Sequence, residues 1–438
     1  MMTFLRSLLA AGLLGPAALH AESWTLDRAV ATALERSPDA RLARARIDGA
    51  QSLVEQAQSA WRPQVSLSGR YTNTNSPMMA FGSILNQRAF NFGLDFNRPG
   101  HLDNLNATGT VAYNLYSGGR ATAGRSAAQA GAEAADLDLR AAHHRLAAEV
   151  VRAALNLRKA REAVTAVEGG VRAYEAAAAV ARARFDAGQL LKADFLSLEV
   201  QLAETREKLS AARHGAALAA RAFHFILGLD PTETSVELLD DDPALARLTL
   251  PDTRDFSGRP ELLGLAARVR AAEAMVESAR GTKRPTVNAF ASYQYDHGWQ
   301  TARHGDSWLA GVSVDLNVFD GGQLAGKVRQ SSAEVTQVKE MLRKATLGIG
   351  FEVEQARLAH ADATERLAVS ARAVEQAAES AALSRARFDK EALLTADLIG
   401  AESRHLETRL RRTFAAVEER LALVELRRAL GLTPLPPS

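Results

Sequence analysis

The chain has 438 residues, enough for two or three ordinary domains, and is 47% hydrophobic but only 6% aromatic. Alanine makes up much of the apolar content, which suits long, closely packed helices better than a thick globular core. A net charge of +2 gives no electrostatic basis for nucleic acid as the main partner, and the absence of cysteine excludes disulfides, thiolate metal sites and lipidation through a Cys.

Residues 1–21 have the layout of a secretory signal: Arg6 at the positive start, an apolar run from Leu8 to Leu14, and Pro16 to Ala21 approaching a cleavage site after Ala21. A buried N-terminal helix is the alternative, which Pro16 and the polar Glu22-Ser23 oppose. No later segment carries the roughly 18 uninterrupted apolar residues of a spanning helix.

Leu26 to Leu34 reads as a short amphipathic helix ending near Ser37-Pro38, and 38–60 as a second helix closed by Trp61-Arg62-Pro63. Alternation follows. Val65, Leu67, Gly69 and Tyr71 oppose Gln64, Ser66, Ser68 and Arg70, giving a strand over about 64–73. Ala107, Gly109, Val111, Tyr113 and Leu115 oppose Asn106, Thr108, Thr110 and Asn114, giving a second over about 106–116. Between them, 75–104 holds Met78, Met79, Phe81, Phe90, Phe92 and Phe96, too apolar for a floppy linker. This stretch could fold over or into a mouth, or be an ordinary variable loop.

From about 120 to 187 no proline interrupts a heptad-like helix of roughly 100 Å. Val150, Leu157, Val164, Val171 and Phe185 take one core position; Leu139, Leu146, Ala153, Ala160, Val167, Tyr174 and Ala181 take the other. A return helix spans about 192–228, ending at Gly228. An irregular acidic linker occupies 231–258.

The same order then recurs. A helix at 260–281 precedes strands at about 286–296 and 308–319, a long helix at about 322–389 and a return helix at about 395–430. Phe290 breaks the alternation of the first of these strands, and His360 sits at a core-type position of the weaker long helix. Gly118-Gly119 matches Gly321-Gly322, Arg184-Phe185-Asp186 matches Arg387-Phe388-Asp389, and Leu227-Gly228-Leu229 matches Leu430-Gly431-Leu432, all at an offset of 203. The period far exceeds that of solenoids, so the unit is a domain-sized tandem duplication, 22–230 and 259–438. Pro63 and Pro285 lie 222 apart, so the first strand pair carries about 19 extra residues.

Period-two strands of about ten residues with one apolar and one polar face are expected of a water-filled membrane barrel, although a soluble sheet with one wet face has the same period. Tyr71, Tyr295, Trp299 and Trp308 near the expected strand ends favour the membrane. Four strands cannot close a barrel, so copies must pool them.

The sequence resembles the TolC family of outer-membrane efflux proteins. The resemblance rests on Thr25-Leu26-Asp27-Arg28-Ala29-Val30 with Ala33-Leu34 and Ser37-Pro38, the two Gly-Gly strand exits, the two Arg-Phe-Asp tips and Leu227-Gly228-Leu229, and it covers the mature chain. It implies an internally duplicated α+β membrane protein: a homotrimer with a 12-stranded β-barrel, a 12-helix periplasmic tunnel and an equatorial domain. Its location would be the outer membrane, in lipid, extending into the periplasm. Its partners would be a periplasmic adaptor and an inner-membrane pump of the RND, ABC or MFS class. The chain itself would be a passive duct, for efflux or type I secretion, with no catalytic residue, cofactor or metal.

The resemblance places the gate at the periplasmic tip, on Asp194 and Asp397, which an ordinary first-turn role on the helix dipole would also explain. Phe185, Gly188, Leu191, Phe388 and Leu394 become the adaptor-facing tip, against packing and turn geometry as the plainer role. Two departures stand out: Gly400 occurs where some members carry a second carboxylate, and Glu391 replaces the glycine kept as Gly188. His143-His144 lie mid-helix without a catalytic motif around them. The alternative of another class is a soluble periplasmic coiled-coil adaptor or scaffold.

Overall fold

The computed structural model describes residues 22–95, 97–230, 236–238 and 243–435. The expected signal at 1–21 lies outside these residues, as do Phe96 and part of the linker. In chain order the elements are β1 (Glu22–Trp24), α1 (Leu26–Arg36), α2 (Pro38–Gln58), β2 (Gln64–Thr74), α3 (Pro77–Asn86), β3 (Leu102–Tyr116), α4 (Arg120–Asp186) and α5 (Lys192–Leu227). They continue with β4 (Val236–Leu238), α6 (Pro243–Ala246), α7 (Pro260–Gly281), β5 (Thr286–Gly298), β6 (Arg303–Asp315), α8 (Gln323–Asp389) and α9 (Thr395–Ala429). None of the described helices is long and apolar enough to cross a membrane. The described chain forms two compact units, 42–142 with 255–351, and the remainder.

The first unit holds a four-stranded antiparallel sheet in the order β2-β3-β5-β6. Its register pairs Asn106 with Arg70 and Asp296, Thr108 with Ser68 and Gln294, and Asp296 with Gly305. Cross-strand partners share a face, so one face is mainly polar, with Leu102, Ala112, Phe290 and Leu309 as its apolar members. The other carries Val65, Leu67, Tyr71, Val111, Tyr293, Trp308, Val312 and Val314, all exposed, with Leu67 at 85%. Phe290, the exception to the alternation, sits on the polar face with its ring over Gly311, where a side chain would approach it to 2.9 Å.

The last strand differs from its expected bounds of 308–319. It begins at Arg303 and ends at Asp315, so Trp308 lies mid-strand opposite Tyr293, and Leu316 and Val318 fall beyond it. The hairpin turn is confined to residues between Gly298 and Arg303, with Ala302 at φ +50°, and this tight closure extends pairing beyond the regular alternation. Trp299 sits in that turn, edge-on to Tyr71 at 5.8 Å and to His297 at 5.1 Å. Elsewhere in the unit, Ala267 of α7 packs on Ala134 and Leu137 of α4, flanked by the ion pair Arg270–Glu133 at 2.6 Å.

The second unit is helical apart from β1, which pairs in parallel with β4. Its main core gathers Leu26, Ala29 and Ala33 of α1 with Val150, Val151 and Leu155 of α4, Phe223 and Leu227 of α5, and Val424 of α9. Small residues on α1 permit this close approach: α5 ends at Gly228 in the left-handed region (φ +72°), where a side chain would meet the Arg36 carbonyl at 2.8 Å. Thr25 caps α1 by accepting the Arg28 N–H at 3.2 Å. The heptad positions Val150, Leu157, Val167, Val171, Tyr174 and Ala181 are buried. His360 on α8 is half-buried and faces Glu419 of α9 at 3.5 Å.

Candidate functional site

Both strand-to-helix exits use paired left-handed glycines, Gly118 and Gly119 at φ +68° and +86°, and Gly321 and Gly322 at φ +66° and +91°. A left-handed pair turns the chain abruptly from an extended strand into the first helical turn. Ser117 Oγ accepts the Ala121 N–H at 3.0 Å at the first exit; the Asp320 carboxylate accepts the Gly322 and Leu324 N–H groups at 3.0 and 2.9 Å at the second. The surroundings differ. A side chain at Gly118 would run into the Gly281 carbonyl at the end of α7, whereas Gly321 and Gly322 face open space.

The α4–α5 and α8–α9 hairpin tips share one backbone design. The N–H groups of Gly188 and Gln189 reach the carbonyls of Phe185 and Arg184 at 2.9 and 2.8 Å; those of Glu391 and Ala392 reach Phe388 and Arg387 at 3.0 and 2.9 Å. This is a Schellman ending, which places its C′ residue in the left-handed region. Gly188 (φ +74°) meets that demand without a Cβ, while Glu391 (φ +60°) meets it with one.

Leu191 and Leu394 occupy the N-cap positions of the two return helices, where neither offers a side-chain hydrogen bond. Ser, Thr, Asp or Asn would be favoured there. Both leucines stand out into solvent, 72% and 73% exposed. Asp194 and Asp397 lie in the first turns of these helices, half-exposed and exposed, where their charge complements the helix N-terminus. Neither carboxylate has a hydrogen-bonding or ionic partner among the described residues. Gly400, one turn on, leaves open space where a side chain would stand.

The two tips share one apolar cluster of Tyr174, Ala177, Ala181, Phe195, Leu198, Phe388 and Leu398. Phe388 is only 2% exposed, so its ring lies beneath the tip instead of on its surface. Phe185 is half-buried and stacks on Phe195 with centroids 5.6 Å apart. Arg184 ties the tips together: its guanidinium lies 4.9 Å over the Phe388 ring and donates to the Asp389 carbonyl at 2.9 Å.

Further up is a group that the sequence pattern did not single out. Tyr174 on α4 shares a hydrogen bond with Ser403 at 2.8 Å and donates to the Ile399 carbonyl at 3.2 Å, both on α9. Glu402 is buried against the Arg385 guanidinium at 2.5 Å. Burial pushes the Glu402 carboxyl above the usual glutamate range, Arg385 opposing it only in part. Burial likewise raises Tyr174, and burial with Arg385 and Arg409 lowers His405. Only the tyrosine among an alanine-rich heptad could have flagged this cluster in advance. No group of three or more metal-ligating side chains occurs among the described residues.

The outer membrane efflux protein family matches residues 29–229 and 256–432. Protein CyaE of Bordetella pertussis is 29% identical over 350 residues, 78% of this chain and 70% of its own. Outer membrane efflux protein BepC of Brucella suis is 24% identical over 364 residues, 79% of this chain and 72% of its own. The solved channel CusC superposes with a TM-score of 0.80 at 16% identity, covering 95% of this chain and 96% of CusC. These matches lend nothing to a soluble coiled-coil adaptor, and the family and its structural neighbours are transport channels, not enzymes. The chain belongs to the outer membrane efflux protein family: it is an outer-membrane duct reaching into the periplasm, and channels of this family work with an adaptor and an inner-membrane pump in tripartite systems.

Proposed function

We propose that three copies pool their sheets into one twelve-stranded barrel and their long hairpins into a periplasmic tunnel gated at its tip. The observation that carries this reading is a four-stranded sheet with both edges open, β2 and β6, and one face whose apolar side chains are largely exposed. Unpaired edges of 11 and 13 residues are a liability that closure removes, and the smallest common barrels have about eight strands. Exposed apolar side chains along α8, namely Met341, Leu347, Phe351, Leu358, Val369 and Leu383, supply further surface for a neighbouring copy.

The strand exits support the same assembly. Gly118 is covered by the end of α7 within the chain, while Gly321 is uncovered. In a closed ring the corresponding helix end, that of α2 in the next copy, would fill the second position.

At the periplasmic end, Leu191 and Leu394 are the surfaces offered to the adaptor, and Asp194 and Asp397 the carboxylates turned to the pore. Rings of like charge near an axis attract cations and repel anions. A D194N/D397N double variant should therefore lose cation preference and divalent block in planar bilayers; unchanged selectivity would remove the gate assignment.

The first measurement is the mass of the detergent-extracted protein by light scattering, corrected for bound detergent. Three chains per particle from the outer-membrane fraction is the expected result. A monomer soluble without detergent would overturn the barrel.

A further inference from the structure

The extra residues of the first strand pair build a helix on a particular side of the sheet. The polar face carries Asn104 and Asn106 of β3, Asp296 of β5 and Gly305 of β6, as the register requires. The end of α3 is seated on that face. Side chains at Gly298 or Gly305 would run into Gln87 or the Asn86 carbonyl, respectively. Gln87 is fully buried, donating to the Asp103 carbonyl at 2.8 Å and to Asn104 Oδ1 at 2.9 Å, and accepting from Thr301 Oγ1 at 2.7 Å. Asn104 and Asn106 in turn donate to Asp296 at 2.6 and 2.9 Å; outside this network, the exposed Arg88 pairs with Asp306 of the edge strand β6 at 2.9 Å. A satisfied, buried polar network of this kind fixes position. The seat lies at the end of the sheet opposite the strand exits into the long helices.

The helix itself is apolar on both sides. Ala80 and Ile84 are buried with Leu102 of β3. At 100° per residue, Met78, Met79 and Leu85 project from the opposite side, and Met78 is 80% exposed. Phe90 and Phe92 continue this surface, with Phe92 at 97% exposure. None of the ten residues of α3 is charged. A helix that is apolar all round belongs in a buried setting, yet this one stands on the face that a barrel turns to water. Lipid lies against the other face. What stands across a lumen from α3 is the same helix of the neighbouring copies.

We propose that α3 and the segment to Phe92 form an apolar plug at the outer mouth, in which Met78, Met79 and Phe92 meet their counterparts from the other copies. This rests on the trimeric channel reading. Apolar constrictions of this kind gate by excluding water, so the duct would carry a second restriction far from its periplasmic tip.

The chain contains no cysteine, which allows a direct test. Met78→Cys and Phe92→Cys, each in otherwise native protein, are treated with short and long bis-maleimides in the detergent-extracted particle, with Val312→Cys on the apolar face as control. Efficient covalent pairs from Met78→Cys and Phe92→Cys, and none from Val312→Cys, are expected. The M78S/M79S/F92S variant, its mass checked by light scattering, should raise single-channel conductance by about twofold or more. An intact trimer with no cross-link from either position, or with unchanged conductance in the triple variant, overturns the plug and leaves the channel standing. Native protein that is not a trimer overturns the channel assembly and the plug with it.

Discussion

At Glu391 and Glu402 the local chemistry runs against expectation, and each makes a measurable difference. Glu391 holds a left-handed conformation at a Schellman ending where the other tip uses Gly188. The conformation costs a non-glycine residue about 1–2 kcal/mol, while glycine gives back about 0.4–1 kcal/mol through a freer unfolded chain. Glu391→Gly should therefore stabilise its hairpin slightly, by about 0.5–1 kcal/mol, seen as slower amide exchange at the α8–α9 tip. Gly188→Ala should have the opposite sign, and equal exchange in both variants would show that the tips are not under backbone control. Glu402 is a matter of pH. Its folded pKa lies above the ordinary 4.5 because burial outweighs Arg385. The stability it contributes is thus full below that value and lost as pH rises through the raised one. His405, lowered by burial and by Arg385 and Arg409, has the reverse sign: its contribution is full above the ordinary 6.5 and lost as pH falls through the lowered value. Glu402→Gln should raise the temperature of helix loss near neutral pH, with the advantage fading on the acid side of 4.5. An advantage independent of pH would assign the effect to packing.

At the scale of elements, Leu191 and Leu394 break the same capping preference at the same place in two hairpins and remain exposed. Such shared violations are where function is expected to override local stability. The L191S/L394S variant should keep its detergent-extracted mass and conductance, gain up to about 1 kcal/mol in each helix from the new caps, and lose pull-down of its adaptor and export in cells. Retained export would leave the leucines without that role. These positions were legible in the sequence because the offset of 203 places the hairpins in register. Strand alternation and the glycine exits were legible for a similar reason, since period and positive φ are local properties. What sequence could not supply was contact across elements. The apolar character of 75–104 was visible, but the helix is positioned by Gln87, whose partners Asp103, Asn104 and Thr301 come from two other segments. The sequence leaves Phe388 between an adaptor-facing and a packing role, and its burial follows only from the contact of the two hairpin tips in one cluster. The Tyr174–Ser403 and Glu402–Arg385 pairs depend on the register between helices far apart in the chain.

At the scale of the whole molecule, the two strand exits offer a built-in comparison of intrachain and intercopy packing. Both Gly118 and Gly321 are left-handed, so alanine at either position carries the same intrinsic penalty of about 1 kcal/mol. Gly118→Ala adds a collision with the Gly281 carbonyl inside the chain, and that collision exists in a monomer as well as in an assembly. Gly321→Ala meets nothing within one chain. If the ring places the next copy's α2 end over Gly321 as α7 lies over Gly118, the second substitution must also collide, but only once copies associate. Gly118→Ala should therefore impair folding of the unit before assembly, with loss of β signal and of extractable protein. Gly321→Ala should instead yield folded chains with a reduced trimer fraction. Light scattering across a dilution series separates the two, since a defect between copies deepens on dilution by mass action and a defect within a chain does not. A Gly321→Ala trimer as resistant to dilution as the parent would mean that no neighbouring helix approaches this exit, and the proposed ring would have to close by some other surface.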